Sequence, residues 1–235
     1  IQIPSDVVLE DEGPPLLERF PGVEMRMLKV HFDSDEICAA TFLSAMERHE
    51  LQKAAALLAA DGPCTVVGLS CTSFAFTAGK DRVREELISG YGSDVPTMDM
   101  AEAQMGALLA LQVSRVALLT PYIEEVSVAN AAMLERGGLQ VVSRLTMNLA
   151  KDELTSAVTP EVIADWAVNV DCAEAEAVVI GCSAFRACQP GFLDSLEARV
   201  GKPVVTSTQA FLWQMLRMAN VRDHVDGYGC LFSKC

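Results

Sequence analysis

Histidine is scarce in this chain, with only His31, His49 and His224. None lies at a ligand-like spacing from a cysteine, so no resident metal is expected. CxxC pairs are missing too. The eight cysteines (Cys38, Cys64, Cys71, Cys172, Cys182, Cys188, Cys230 and Cys235) form no repeated framework. That excludes a disulfide scaffold and points to free thiols in a reducing, cytoplasmic compartment. Basic charge is also short: 18 Lys and Arg stand against 32 Asp and Glu, a net charge of -14. Without a basic stripe, neither a nucleic acid nor an anionic membrane surface is an expected partner. If the substrate is an anion, local dipoles must overcome an unfavourable overall field. No apolar run reaches the roughly 18 residues that span a bilayer, and "IQIPSDVV" lacks the parts of a signal peptide. The chain opens inside what reads as a strand, so a residue or two of it is expected before Ile1.

What is present suits a folded core. With 235 residues, 51% of them hydrophobic, the chain can form one large domain or two lobes. Short apolar runs recur at 65–70, 115–120, 139–145, 177–182 and 203–208, and near-continuous apolar strands fit a parallel sheet buried on both faces. Stripes at three- and four-residue spacing predict helices at 42–60, 81–89, 99–112, 124–136, 160–169 and 191–199. Thr159 and Pro160 read as the start of one helix. Gly137-Gly138 reads as the end of another. The alternation predicts an α/β fold, doubly wound, with parallel sheets flanked by helices. Three side segments read as structural. "LEDEGPP" (9–15) reads as a solvated loop or lid stopped by Pro14-Pro15. Trp213, Met215 and Met218 share a helical apolar face. His31 sits beside Asp33 and Asp35 and completes no triad.

Two stretches repeat one plan. "VGLSCTSF" (67–74) and "VVIGCSAF" (178–185) both read V-x-[IL]-[GS]-C-[ST]-x-F. Each places a cysteine at the carboxyl end of a strand, where open α/β sheets bind ligands. Two similar lobes could set Cys71 and Cys182 face to face. A cysteine at such a turn also packs like a small hydrophobe. The pairing argues for chemistry: each thiol is expected at a helix start, where backbone N–H groups and the dipole favour thiolate. Two opposed thiols can remove a proton from one face of a carbon and deliver one to the other, with no cofactor.

Five segments carry a family likeness: "CTSFAFTAGKDRV" (71–83), "RVALLTPYIEEV" (115–126), "GCSAFRA" (181–187), "GKPVVTSTQAFLWQMLR" (201–217) and "GYGCLF" (227–232). Together they resemble the aspartate/glutamate racemase superfamily, and within it the maleate isomerase and arylmalonate decarboxylase group. The resemblance implies two pseudosymmetric Rossmann-like lobes, each a parallel sheet flanked by helices, with the active site between them. The lobes are expected at 1–103 plus 206–235 and at 104–205, in a dimeric or tetrameric homo-oligomer. It implies cofactor-independent chemistry on a small carboxylate. Cys71 would be the nucleophile or first base and Cys182 the proton donor or second base. Tyr122 would bind a substrate carboxylate, and Thr72, Ser73 and Ser183 would line oxyanion pockets. Decarboxylases of the group replace the first cysteine with glycine, so keeping both favours isomerisation or racemisation. Decarboxylation with Cys182 alone, and a non-catalytic binding protein of the same fold, stay open as alternatives.

The chain departs from the group at two points. Its first loop, "IPSDVVLEDE" (3–12), offers Ser5 and Asp6 for substrate contact where maleate isomerases resemble V-P-S-S-N-T-T-x-E. Asp152 stands where those enzymes have a second asparagine. Both aspartates also read as loop or cap residues. In contact with substrate, they would repel a carboxylate and suit an ammonium. "EDE" (10–12) and "AGKDRV" (78–83) are similar to the branch associated with ectoine utilisation, which implies racemase chemistry on amino-acid derivatives. Arg186 reads as a local structural partner.

Overall fold

The computed structural model describes residues 1–34 and 38–235; Asp35 lies outside the described residues. The chain runs through α1 (Val8–Leu17), α2 (Ala39–Glu47), α3 (Glu50–Asp61), β1 (Val67–Leu69), α4 (Thr72–Ala78) and α5 (Lys80–Tyr91). It continues through β2 (Thr97–Asp99), α6 (Met100–Ala110), β3 (Arg115–Thr120), α7 (Glu124–Arg136) and β4 (Gln140–Thr146). The last elements are α8 (Asp152–Ser156), α9 (Pro160–Val170), β5 (Ala177–Ile180), α10 (Phe192–Val200), β6 (Val204–Thr206), α11 (Ser207–Met218) and α12 (Gly229–Lys234).

β1 and β2 pair in parallel, and a second parallel sheet has the order β4-β3-β5-β6. The α/β expectation therefore holds, with parallel sheets flanked by helices. Strand alternation divides the second sheet between two cores. Val116, Leu118 and Val179 face a central cluster with Leu108, Phe211 and Trp213. Ala117, Leu119, Val178 and Ile180 face the opposite cluster with Ile163 and Leu193. A further cluster joins Leu51, Leu69, Phe74 and Leu87 around β1. Trp213, Met215 and Met218 belong to the central core, as their helical spacing implied.

Three segments differ from the sequence reading. The long helix over 42–60 is two, α2 and α3, because His49 turns left-handed (φ 55°) between them. The segment 9–15 is no solvated loop: α1 runs through Pro14 and Pro15. Burial of Val8, Leu9, Leu16 and Leu17 outweighs the backbone hydrogen bonds the prolines forfeit. The opening residues make one parallel bridge, Gln2 to Lys29, in place of a strand.

α3 and α5 pack so closely that Gly90 has no room for a side chain. A methyl there would meet the Gln52 carbonyl and lie 2.8 Å from the Ala55 methyl. Gly90→Ala is expected to cost about 1–3 kcal/mol, read as a lower urea midpoint at unchanged slope.

Candidate active site

Cys71 follows β1 and caps α4, its sulfur accepting from the Phe74 N–H at 3.5 Å. The Ser73 hydroxyl lies 3.5 Å from the same sulfur. Cys182 follows β5, but no helix begins there; the next one, α10, starts at Phe192. Cys182 instead takes a left-handed turn, φ 101°, rare for a residue other than glycine. The repeat in sequence thus gives two local geometries. At both, a backbone N–H still reaches the sulfur, from Phe74 for Cys71 and from Ala184 for Cys182.

Those N–H groups do not make thiolates. Burial pushes the Cys71 thiol up to about 12, against the pull of Ser73 and Phe74. Burial also holds Cys182 well above the usual thiol range, reinforced by Asp152, Asp6 and Cys71. The expected thiolate character is therefore overturned, because desolvation and nearby carboxylates exceed the N–H contribution. Both environments favour the thiol over the thiolate.

Asp6 and Asp152 approach the two thiols from different elements. Asp6 is fully buried; one oxygen accepts from the Val8 N–H at 2.9 Å at the start of α1. Its other oxygen makes no hydrogen bond of normal geometry, although the Ser183 hydroxyl is close enough to lower its pKa. Burial still raises the carboxyl to about 6, and Asp152 adds to the rise. Asp152, half-buried in the first turn of α8, accepts from the Ser5 hydroxyl at 2.6 Å. Burial raises its pKa as well. Asp6 is both a cap, as loop chemistry suggested, and a group facing the thiols. Among the described residues neither aspartate forms an ion pair.

Tyr122 follows β3, its backbone held where the Thr146 hydroxyl donates to its carbonyl. The side chain stands edge-on to Phe76, centroids 6.4 Å apart. Its hydroxyl is buried without a hydrogen bond of normal geometry. Burial raises its pKa, and Cys182, Cys71 and Asp152 add to the rise. Thr72 and Ser183 are buried beside the two cysteines. Arg186 pairs with Asp11 at 2.8 Å and with the Ser156 carbonyl at 3.1 Å, so its role is structural. His31 meets Asp33 on the exposed surface.

Sequence reasoning missed two buried polar residues, Ser207 and Glu12. The Ser207 hydroxyl touches the Cys182 N–H, Gln104 and Thr72. The run 203–208 read as strand, yet Thr206 and Gln209 form a capping box that starts α11 at Ser207; the T-x-x-Q spacing was the signal. Glu12 is also buried, bonded to the Cys188 N–H at 2.9 Å. Burial raises it to about 7. Among the described residues, no group of three or more His, Cys, Asp and Glu is arranged to hold a metal ion.

Parallel sheets with a buried cysteine after β1 and after β5 define a two-thiol α/β site. The family model described as arylmalonate decarboxylase matches residues 33–232, and the chain belongs to that family. A maleate isomerase of Nocardia farcinica is 28% identical over 97% of this chain and 91% of its own. The arylmalonate decarboxylase of Bordetella bronchiseptica is 28% identical over 72% of this chain and 71% of its own. Among solved structures, a Nocardia farcinica maleate cis-trans isomerase mutant with a covalently bound succinylcysteine intermediate superposes with a TM-score of 0.87. It shares 24% identity and covers 100% of this chain and 96% of that one. Unliganded arylmalonate decarboxylase gives 0.76 at 22% identity, covering 93% and 92%.

The buried carboxyls set a pH dependence. Asp6 rises from 3.8 to about 6 and Glu12 from 4.5 to about 7. Between those limits the folded chain holds protons that the unfolded chain has released, so stability falls as pH rises. Each group contributes a loss on the order of 3 kcal/mol by pH 8. Urea midpoints are expected to be lower at pH 8 than at pH 5, and Asp6→Asn or Glu12→Gln to flatten that difference.

Proposed function

We propose that this chain is a cofactor-independent isomerase or racemase of a small carboxylate, with Cys71 and Cys182 acting on opposite faces of the substrate. The observation that supports this is their electrostatic proximity: each thiol's ionisation feels Asp6 and Asp152, and Cys182 feels Cys71. Cys71 serves as nucleophile or first base once it has lost its proton, the thiolate then being held by Ser73 and the Phe74 N–H at its sulfur. Cys182 serves as proton donor or second base, a role its protonated resting state suits. Tyr122 offers its unpartnered hydroxyl to a substrate carboxylate. Thr72, Ser73 and Ser183 supply donors where charge develops. The site then lies between lobes at 1–103 plus 206–235 and at 104–205. The sheet division supports this, since β1 and β2 form one sheet and β3 to β6 the other.

The substrate is read from the charge. The maleate isomerase relatives are named for maleate, a dianion. Here Asp6 and Asp152 add two carboxyls and no described cation balances them. Binding a dianion would bring four carboxyl groups together, which disfavours ionised ligands of that kind. A carboxylate bearing an ammonium group balances the site, with the ammonium at Asp6 and Asp152 and the carboxylate at Tyr122 and the hydroxyls. This favours an amino-acid derivative, and inversion at its α-carbon, over maleate. Decarboxylation by Cys182 alone leaves Cys71 without a role.

The test is NMR in deuterated water with maleate, aspartate, glutamate, phenylmalonate and ornithine. Deuterium entry at an α-carbon, or cis–trans conversion, is expected from the wild type. Cys71→Ala and Cys182→Ala should each lower turnover by about 10²–10⁴-fold. Unchanged turnover in either variant contradicts the two-thiol reading. For charge selection, Asp6→Asn should raise maleate turnover relative to ornithine at least tenfold; an unchanged ratio removes Asp6 from substrate choice.

A further inference from the structure

The left-handed turn at Cys182 needs an account. A residue other than glycine held at φ 101° persists only where its surroundings hold it there. The turn is not held by a helix, since none starts at this cysteine. Its N–H donates to the Ser207 hydroxyl at 3.0 Å. Ser207 is fully buried at the first position of α11, and a capping box at Thr206 and Gln209 fixes that helix start. The same oxygen receives the Gln104 side-chain N–H at 2.9 Å, from α6. The Thr72 hydroxyl lies 2.9 Å away, at the start of α4 beside Cys71. One oxygen therefore joins the Cys182 turn, the Cys71 segment and α6.

Valence then sets the direction of these bonds. A hydroxyl has two lone pairs and one proton. The two N–H groups fill both lone pairs, so the proton between the hydroxyls is the one Ser207 gives to Thr72. Thr72 keeps its own proton for another acceptor.

We propose that Ser207 is the positioning residue of the two-thiol site: its hydroxyl holds Cys182 in the left-handed turn that aims the sulfur, and ties that turn to the segment carrying Cys71. The consequence is specific to one thiol. The turn places the Ala184 N–H at the Cys182 sulfur, which favours thiolate. The Cys71 sulfur is served by Phe74 and Ser73, which Ser207 does not touch. The charged and titratable groups facing Cys182 are Asp152, Asp6, Cys71 and Tyr122, and none of them bonds to Ser207. Loss of the Ser207 hydroxyl should therefore weaken Cys182 as an acid or nucleophile and spare Cys71.

The experiment is site-resolved alkylation. Wild type, Ser207→Ala and Ser207→Cys are treated with iodoacetamide from pH 7 to 11, and the Cys71 and Cys182 peptides are quantified by mass spectrometry. The reading does not depend on substrate turnover, so it stands apart from the isomerase proposal. Ser207→Ala is expected to slow Cys182 alkylation about tenfold at fixed pH and to move its profile to higher pH. Cys71 should stay within twofold. Ser207→Cys keeps the shape with a weaker acceptor and should fall between. If Ser207→Ala does not fold, Ser207→Cys carries the test with the same selectivity. Equal changes at both cysteines, or none at Cys182, overturn the proposal.

Discussion

Desolvation of like-signed groups governs this molecule. Cys71, Cys182, Tyr122 and Asp6 are buried, Asp152 is half-buried, and their ionisations are coupled. Every one of them is pushed toward its protonated form, burial being the largest cause in each case. Charging any one raises the cost of charging the next. An ammonium placed between Asp6 and Asp152 would relieve that pressure and favour their ionised forms.

The framework sets how far that pressure can be relieved. Backbone N–H groups from Phe74 and Ala184 reach the two sulfurs. Without them, desolvation would act alone. The same logic extends to α1, whose first turn hangs on Asp6. Farther along, Glu12 bonds the Cys188 N–H and Asp11 pairs with Arg186, both in the segment after Cys182. A helix containing two prolines is thus anchored to the site it borders. Its buried carboxyl at about 7 ties that anchorage to neutral pH.

Much of this was legible in the residues. Apolar strand runs announced a parallel sheet, buried along β3, β5 and β6 but partly exposed at the edge strand β4. The repeated cysteine motif singled out the two thiols, and Trp213 and its neighbours read correctly as core. The rest was hidden for physical reasons. α1 was masked by Pro14-Pro15, because local propensity cannot weigh the burial of Leu9 and Leu16. The break at His49 depends on a single left-handed residue. Thiolate character was misjudged because desolvation is not visible in sequence, and at Cys182 the expected helix start is absent as well. Ser207 escaped notice because its partners, Gln104, Thr72 and Cys182, are distant in sequence and meet only in the fold.

The central claim is that Cys71 and Cys182 face one small ligand from opposite sides. Treatment with a short bis-electrophile, 1,3-dibromoacetone, at pH 9 tests it directly. Intact-mass and peptide analysis should show one bridge joining Cys71 to Cys182. That bridge should be absent from Cys71→Ala and slowed by a bound carboxylate ligand. Separate modification of the two cysteines, with no linked peptide, would contradict the shared site.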